Sequence, residues 1–122
     1  MADSKQYIEQ MQDNGSILIS EDVVATIAIH AIQEVEGVAG LNGKPGADIA
    51  DLIGKKSWSK GIKITISEGN EITVECNVNI VYGQSVVSVA QAVQSAVHNA
   101  VESMTGVPVV SVNVNVCGIV RQ

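Results

Sequence analysis

Residues 71–120 read EITVECNVNIVYG (71–83), QSVVSVAQAVQSAVHNAVESMTG (84–106) and VPVVSVNVNVCGIV (107–120). Apolar side chains alternate with polar ones in the first and last segments, and they recur at three- and four-residue intervals in the middle one. A period of 2 is typical of a strand with one buried face, and a period of 3.6 of an amphipathic helix. The stretch therefore predicts a strand–helix–strand unit.

A helical crossover favours parallel pairing of strands 71–82 and 109–120, with a right-handed connection. Ser85 is expected to cap the helix, and Gly106 and Pro108 to end it. The expected buried stripe of this helix is Val86, Val89, Ala90, Val93, Val97, Ala100, Val101 and Met104.

The first half of the chain predicts a second helix between short strands. Residues 1–15 are polar and end in the turn signal Asn14-Gly15, which indicates a flexible leader. A strand at 16–19 precedes the helix cap Ser20, and Gly37 is expected to end this helix as its C′ glycine. A brief strand at 38–41 follows, and later an antiparallel hairpin of residues 62–67 and 71–82.

Each helix has a single apolar stripe, and the strands alternate instead of being apolar throughout. This pattern favours an α+β fold: a two-layer domain in which two helices pack on one face of a mixed sheet. We expect one domain at 16–122, with a glycine-rich, lysine-containing loop at 42–61.

Composition and charge argue against several classes of function and location. Thirteen acidic and seven basic residues give a net charge of −6, which argues against general nucleic-acid binding. No apolar run is long enough to span a membrane, and the polar N-terminus does not resemble a signal peptide. The sequence therefore predicts a cytoplasmic protein.

Nucleophiles and metal ligands are sparse. Cys76 is expected inside and Cys117 on the opposite sheet face, so we predict two free thiols. His30 and His98 each precede a glutamate by four residues, but two ligands do not make a metal site. We predict no metal, no cofactor and no enzymatic activity.

Two other features are candidate binding surfaces. The first is a cluster of four of the six lysines near the only tryptophan in the sequence. Its residues are Lys55, Lys56, Trp58, Lys60 and Lys63. Such a loop could contact an acidic partner, anionic lipid or single-stranded nucleic acid, or could be a solvated loop whose Trp covers the core.

The second feature is a set of asparagines at alternating strand positions: Asn77, Asn79, Asn113 and Asn115. Asparagine is disfavoured in strands, so its recurrence on the outward face is unusual. These amides either keep an outer face soluble or form a docking or self-association surface.

Four segments resemble the alkaline-shock protein family, also called the envelope-stress-response family, of mainly Gram-positive bacteria. They are ISEDVVATIAIHAIQEVEGVAGL (19–41), KGIKITI (60–66), VNIVYGQSVVSVAQAVQSAVHNAVESMTG (78–106) and SVNVNVCGIV (111–120). The YG before the helix and the VNV-x-V-x-GI ending are the most telling parts.

The resemblance implies a small, non-enzymatic cytosolic protein linked to cell-envelope homeostasis. It also implies a protein partner, with a membrane-anchoring protein among the candidates, and it carries over no catalytic residues. Our leading hypothesis is an interaction or scaffold module, with self-association left open. The alternative is a small-molecule or nucleic-acid binder that uses the Lys/Trp loop at 55–63.

Overall fold

A computed structural model describes residues 7–41 and 61–121 of the 122-residue chain. The helices are α1 (Glu21–Gln33) and α2 (Val86–Thr105). The strands are β1 (Tyr7–Gln12), β2 (Gly15–Ser20), β3 (Val38–Leu41), β4 (Ile62–Ile66), β5 (Ile72–Val81) and β6 (Val109–Val120). The helix predicted at 84–106 and the strands on either side of it are confirmed.

The strand β5 is the centre of a four-stranded sheet. β6 pairs with it in parallel from Ile72 to Val81. β4 pairs antiparallel with its first half and β3 with its second half, so these two strands lie end to end along its other edge. The predicted parallel pair and the predicted hairpin are both confirmed.

Both helices pack on one face of this sheet. The helix α1 contacts β3 and β4, α2 contacts β6, and the helices contact each other. The inward residues of β5 are fully buried beneath them: Ile72, Val74, Cys76, Val78 and Ile80. The α+β fold class, with its helices on one side of a mixed sheet, is therefore confirmed.

The prediction of a flexible leader is wrong for residues 7–15. β1 and β2 form an antiparallel hairpin with the register Tyr7 to Ser20 and Gln12 to Gly15. Ile8 is fully buried in the core, and the side-chain amide of Gln10 donates to the backbone oxygen of Thr105 at 2.6 Å. Because the segment is mostly polar, its composition does not indicate that Ile8 anchors it in the core. Residues 1–6 lie outside the described residues.

The helix α1 begins as predicted but ends earlier. The Ser20 hydroxyl accepts a hydrogen bond from the backbone N–H of Val23 at 3.3 Å, as an N-cap does. The last helical residue is Gln33, and the C-cap is Glu34 with ordinary right-handed angles. Gly37 is therefore not the C′ residue; it has φ +98° in the turn that follows.

The helix α2 is capped by Ser85 and ends at Gly106, which has the left-handed φ of +73°. Its buried ridge runs at four-residue spacing through Val89, Val93, Val97, Val101 and Thr105. The expected burial of Val86 and Met104 is wrong, since they are 39% and 70% exposed. Met104 falls in the neighbouring row with Ala96 and Ala100, which faces α1 and not the sheet.

Candidate interaction surfaces

The sheet register brings the four predicted asparagines onto one face. Asn77 lies opposite Asn115, Asn113 lies opposite Glu75, and Asn79 lies opposite Gly118 in the β5–β6 pair. On β5 these residues alternate with buried apolar residues, and on β6 they alternate with buried or half-buried ones. Their side chains therefore point away from the helices. We call Glu75 and these four residues the asparagine face.

Side-chain hydrogen bonds join the two strands across this face. The Asn115 Nδ2 group donates to Asn77 Oδ1 at 2.9 Å and to Glu75 Oε2 at 3.1 Å. Asn77 is only 7% exposed, so its amide is not available to a partner. Asn113 and Asn115 are exposed, and they are the amides that a docking partner could contact.

A bulge in β6 shapes the far end of the face. The register shifts between Val78 and Asn79, so that Gly118 instead of Cys117 lies opposite Asn79. A Cβ atom on Gly118 would lie 2.8 Å from Asn79 Oδ1. The glycine therefore leaves room for the Asn79 side chain, a relationship that only the register reveals.

Most of the predicted lysine–tryptophan surface lies outside the described residues: Lys55, Lys56, Trp58 and Lys60. Lys63 is described, and it lies half-buried on β4, directly opposite Glu75 of β5. Cross-strand neighbours share a sheet face, so Lys63 adjoins the asparagine face.

The ends of the 42–61 segment flank Asn77. Leu41 lies opposite Val78, and Ile62 lies opposite Cys76. The backbone N–H of Asn77 donates to the carbonyl oxygen of Gly61 at 2.8 Å. The described chain thus leaves the sheet at Leu41 and rejoins it at Gly61 beside the asparagine face.

The cysteines occupy the two environments that alternation predicts. Both thiols are free: Cys76 is buried and Cys117 is exposed. Burial, with a smaller effect from the charge of Glu75, raises the pKa of the Cys76 thiol from 9.0 to about 12. The buried thiol is therefore protonated at neutral pH and a poor nucleophile.

The histidine–glutamate pairs have different surroundings. His98 Nε2 lies 3.2 Å from Glu102 Oε2, which also accepts the backbone N–H of Val109 at 2.9 Å. Glu102 thus fixes the start of β6 to α2. His30 and Glu34 line a groove between the helices. Across residues 7–41 and 61–121 there is no group of three or more side chains suited to holding a metal ion.

The groove between α1 and α2 was not foreseen from the sequence. Its volume is about 800 Å³, and residues of the two helices and of the turn after α1 line it. The exposed Met104 is one of the lining residues, and its burial was the expectation that failed. Helical periodicity predicts which face of each helix packs on the core. It does not predict that a groove stays open between α1 and α2.

Comparison with known proteins places these surfaces in a family context. Residues 9–121 match the profile of the alkaline-shock protein 23 family, which is described as having a cell envelope-related function. An uncharacterized protein of Streptococcus pyogenes serotype M6, Spy1535, is 36% identical over 108 residues, covering 88% of this chain and 81% of its own length. The uncharacterized protein YloU of Bacillus subtilis is 30% identical, covering 92% and 94%.

Two more distant matches are a longer relative and a solved structure. A protein of Streptococcus pyogenes serotype M3 named stress response regulator gls24 homolog is 26% identical over 86% of this chain, which spans 59% of that relative. Among solved structures, a MamM CTD structure superposes with a TM-score of 0.50 at 16% identity, covering 80% of this chain and 94% of the other. At that identity, the likeness concerns the fold alone.

Proposed function

Because the chain belongs to the alkaline-shock protein 23 family, we propose that it is a non-enzymatic scaffold that serves the cell envelope by binding protein partners. The family has a cell envelope-related function, and no helix in residues 7–41 and 61–121 is long and apolar enough to cross a membrane. We place the protein in the cytoplasm and propose that a partner, such as a membrane-anchoring protein, brings it to the membrane.

The observation that carries this proposal is the asparagine face. Asn113 and Asn115 present exposed amides on a paired strand, and the bond from Asn115 to the buried Asn77 fixes one of them in place. Primary amides both donate and accept, and a preordered amide loses little side-chain entropy when it binds. Lys63 opposite Glu75 adds charges of both signs at one margin of the face.

Two observations support the non-enzymatic part of the proposal. The raised pKa of Cys76 keeps its thiol protonated, and Glu102 is engaged by both His98 and the backbone of β6. These groups serve packing and strand placement.

The scaffold proposal is tested by purifying the tagged protein from the cytosolic and membrane fractions of its native cells. Asn113→Arg places a long cation on the exposed face, and Gln91→Arg makes the same charge change on an exposed position of α2. We expect one protein to co-purify with the wild type and with Gln91→Arg, and at least tenfold less of it with Asn113→Arg.

A wild-type preparation without a specific partner would refute the scaffold proposal, and full retention by Asn113→Arg would refute the asparagine face as the docking site. Circular dichroism must show that both variants are folded. The alternative, a ligand or nucleic-acid binder that uses the 55–63 loop, stays a prediction: it requires salt-dependent binding that Lys55, Lys56 and Lys60 substitutions weaken.

A further inference from the structure

The groove between α1 and α2 has an apolar floor, of which Ile27 and Val35 also pack against the core. Its apolar lining comes from Ile27, Ala31 and Val35 of α1 and the turn after it, and from Ala96, Ala100 and Met104 of α2. None of these side chains belongs to the buried ridge of α2 or to the fully buried set of α1. The groove therefore lies on the side of the helix layer that faces away from the sheet.

The dimensions of the groove suit a helix. A second depression lined by Asp22 and Val23 shares Thr26, Ile27 and Met104 with the groove and extends it. From Asp22 to Val35 the channel follows α1 for roughly 20 Å at 1.5 Å per residue. That length accommodates a partner helix of about 13 residues.

The floor and one end of the groove favour close packing of such a helix. The alanines at 31, 96 and 100 keep the floor low, so a helix can approach closely. At one end, Val23 and Met104 are 47% and 70% exposed, and a docked apolar face would cover them.

Within residues 7–41 and 61–121, the carboxylates that line the groove and its extension have no lysine or arginine among the other lining residues. Residues 21–41 and 84–109, which form the helix layer and its connections, contain five carboxylates and no lysine or arginine. Glu34 lines the groove itself, and Asp22 lines its extension. Of the cations in residues 7–41 and 61–121, Lys63 lies on β4 and Arg121 lies 5.6 Å from the Tyr82 ring centroid.

The apolar floor and the acidic margin together specify the chemistry of the occupant. We propose that the α1–α2 groove binds a basic amphipathic helix of a partner protein, with its apolar stripe on the floor and lysine or arginine side chains near Asp22 and Glu34. A negative field attracts such a segment and repels fatty acids, nucleic acids and acidic peptides. The inference rests on the proposed function only in requiring a protein partner, and it uses the layer opposite the asparagine face.

The direct test uses the purified full chain and two synthetic 14-residue peptides. One peptide has a leucine stripe at helical spacing and lysines elsewhere; its twin has glutamates in place of the lysines. In ¹⁵N NMR titrations, the lysine peptide should shift the amide signals of Ile27, Ala31 and Ala100. It should also bind at least tenfold more tightly than the glutamate twin.

Matched variants locate the binding site. Ser103 is exposed and lines the groove, so Ser103→Trp should obstruct it and weaken lysine-peptide binding at least tenfold. Ser95 is exposed on the same helix but lines a different depression, so Ser95→Trp should leave binding unchanged. The double variant Asp22→Lys, Glu34→Lys should reverse the preference between the two peptides.

Three results would overturn the proposal: equal binding of both peptides, shifts confined to other surfaces, or no effect of Ser103→Trp. Concentration-dependent shifts of the groove signals before peptide is added would instead identify a second copy of the chain as the occupant, which also contradicts it. The peptide titration uses purified protein, whereas the co-purification test of the scaffold proposal uses native cells. Failure of one proposal can therefore be distinguished from failure of the other.

Discussion

The side-chain amide of Asn115 donates to Oδ1 of Asn77 across 2.9 Å and joins the parallel strands β5 and β6 on the face opposite the helices. Asn77 is almost fully buried and Asn115 is exposed, so the bond connects a structural amide to a surface one. An outer sheet face that is uniformly solvated would not need such a bond. The face combines a fixed inner residue with accessible outer ones.

Asn115→Ala should lower the free energy of unfolding by about 1–2 kcal/mol, because it removes the donor to a buried amide oxygen. Asn113→Ala is the matched control, since this side chain is exposed on the same strand, and its effect should stay within about 0.5 kcal/mol. Urea unfolding followed by far-UV circular dichroism measures both. Equal effects would show that the Asn115–Asn77 bond does not stabilise the fold.

Gly37→Ala should destabilise the fold by about 1–3 kcal/mol, because φ is +98° there and the new Cβ would lie 2.7 Å from Val89 Cγ2. Gly40→Ala provides the control: a Cβ added at Gly40 would have no atom within 4 Å, and the φ of this residue is not in the left-handed region. Thermal unfolding distinguishes the two variants. A melting temperature of Gly37→Ala equal to that of Gly40→Ala would contradict the close approach of this turn to α2.

Ile8→Ala should cost about 2–4 kcal/mol of stability, since it empties a fully buried site that the β1–β2 hairpin contributes to the core. Met11→Ala on the same strand should cost little, because Met11 is 74% exposed. Urea unfolding midpoints provide the measurement. If Ile8→Ala unfolds like Met11→Ala, residues 7–15 would behave as the leader that their composition suggests.

The Cys76 thiol should make the protein less stable in alkali. Its pKa is about 12 in the fold against 9.0 for an ordinary thiol, so above pH 9 the unfolded chain releases a proton that the folded chain retains. Its contribution is complete below pH 9 and is lost between pH 9 and 12, by at most about 1.4 kcal/mol per pH unit.

Urea unfolding of the wild type and of Cys76→Ala at pH 8, 9, 10 and 11 isolates this contribution. The wild type should lose stability relative to the variant as pH rises, whereas Cys117→Ala should follow the wild type because Cys117 is exposed. Parallel profiles of all three proteins would mean that the Cys76 thiol ionises as readily in the fold as in the unfolded chain.

The sequence correctly predicted features that depend on residues close together in the chain. Ser20 and Ser85 cap their helices as expected, and the alternation around Cys76 correctly assigns the inward face of β5. These features depend on neighbours within a few residues. The asparagine face followed from the same alternation combined with the parallel pairing of β5 and β6.

The features that escaped prediction depend on distant contacts. Ile8 is buried because the hairpin folds onto the core, with Gln10 bonded to Thr105, 95 residues away. Asn77 is buried on a face that alternation indicates as solvated, and its backbone bonds to Gly61. Met104 is exposed because it lines the groove between α1 and α2 and does not pack into the core. None of these contacts leaves a periodic signal in the sequence.

Site-specific photo-crosslinking in living cells tests whether the protein binds a protein partner through the asparagine face. A photoreactive amino acid at position 113 samples the exposed face, and one at Asp13 samples the exposed hairpin turn as a control. We expect a discrete protein adduct from position 113, recovered with the membrane fraction, and none from position 13. No adduct at position 113, or the same adducts from both positions, would contradict this expectation.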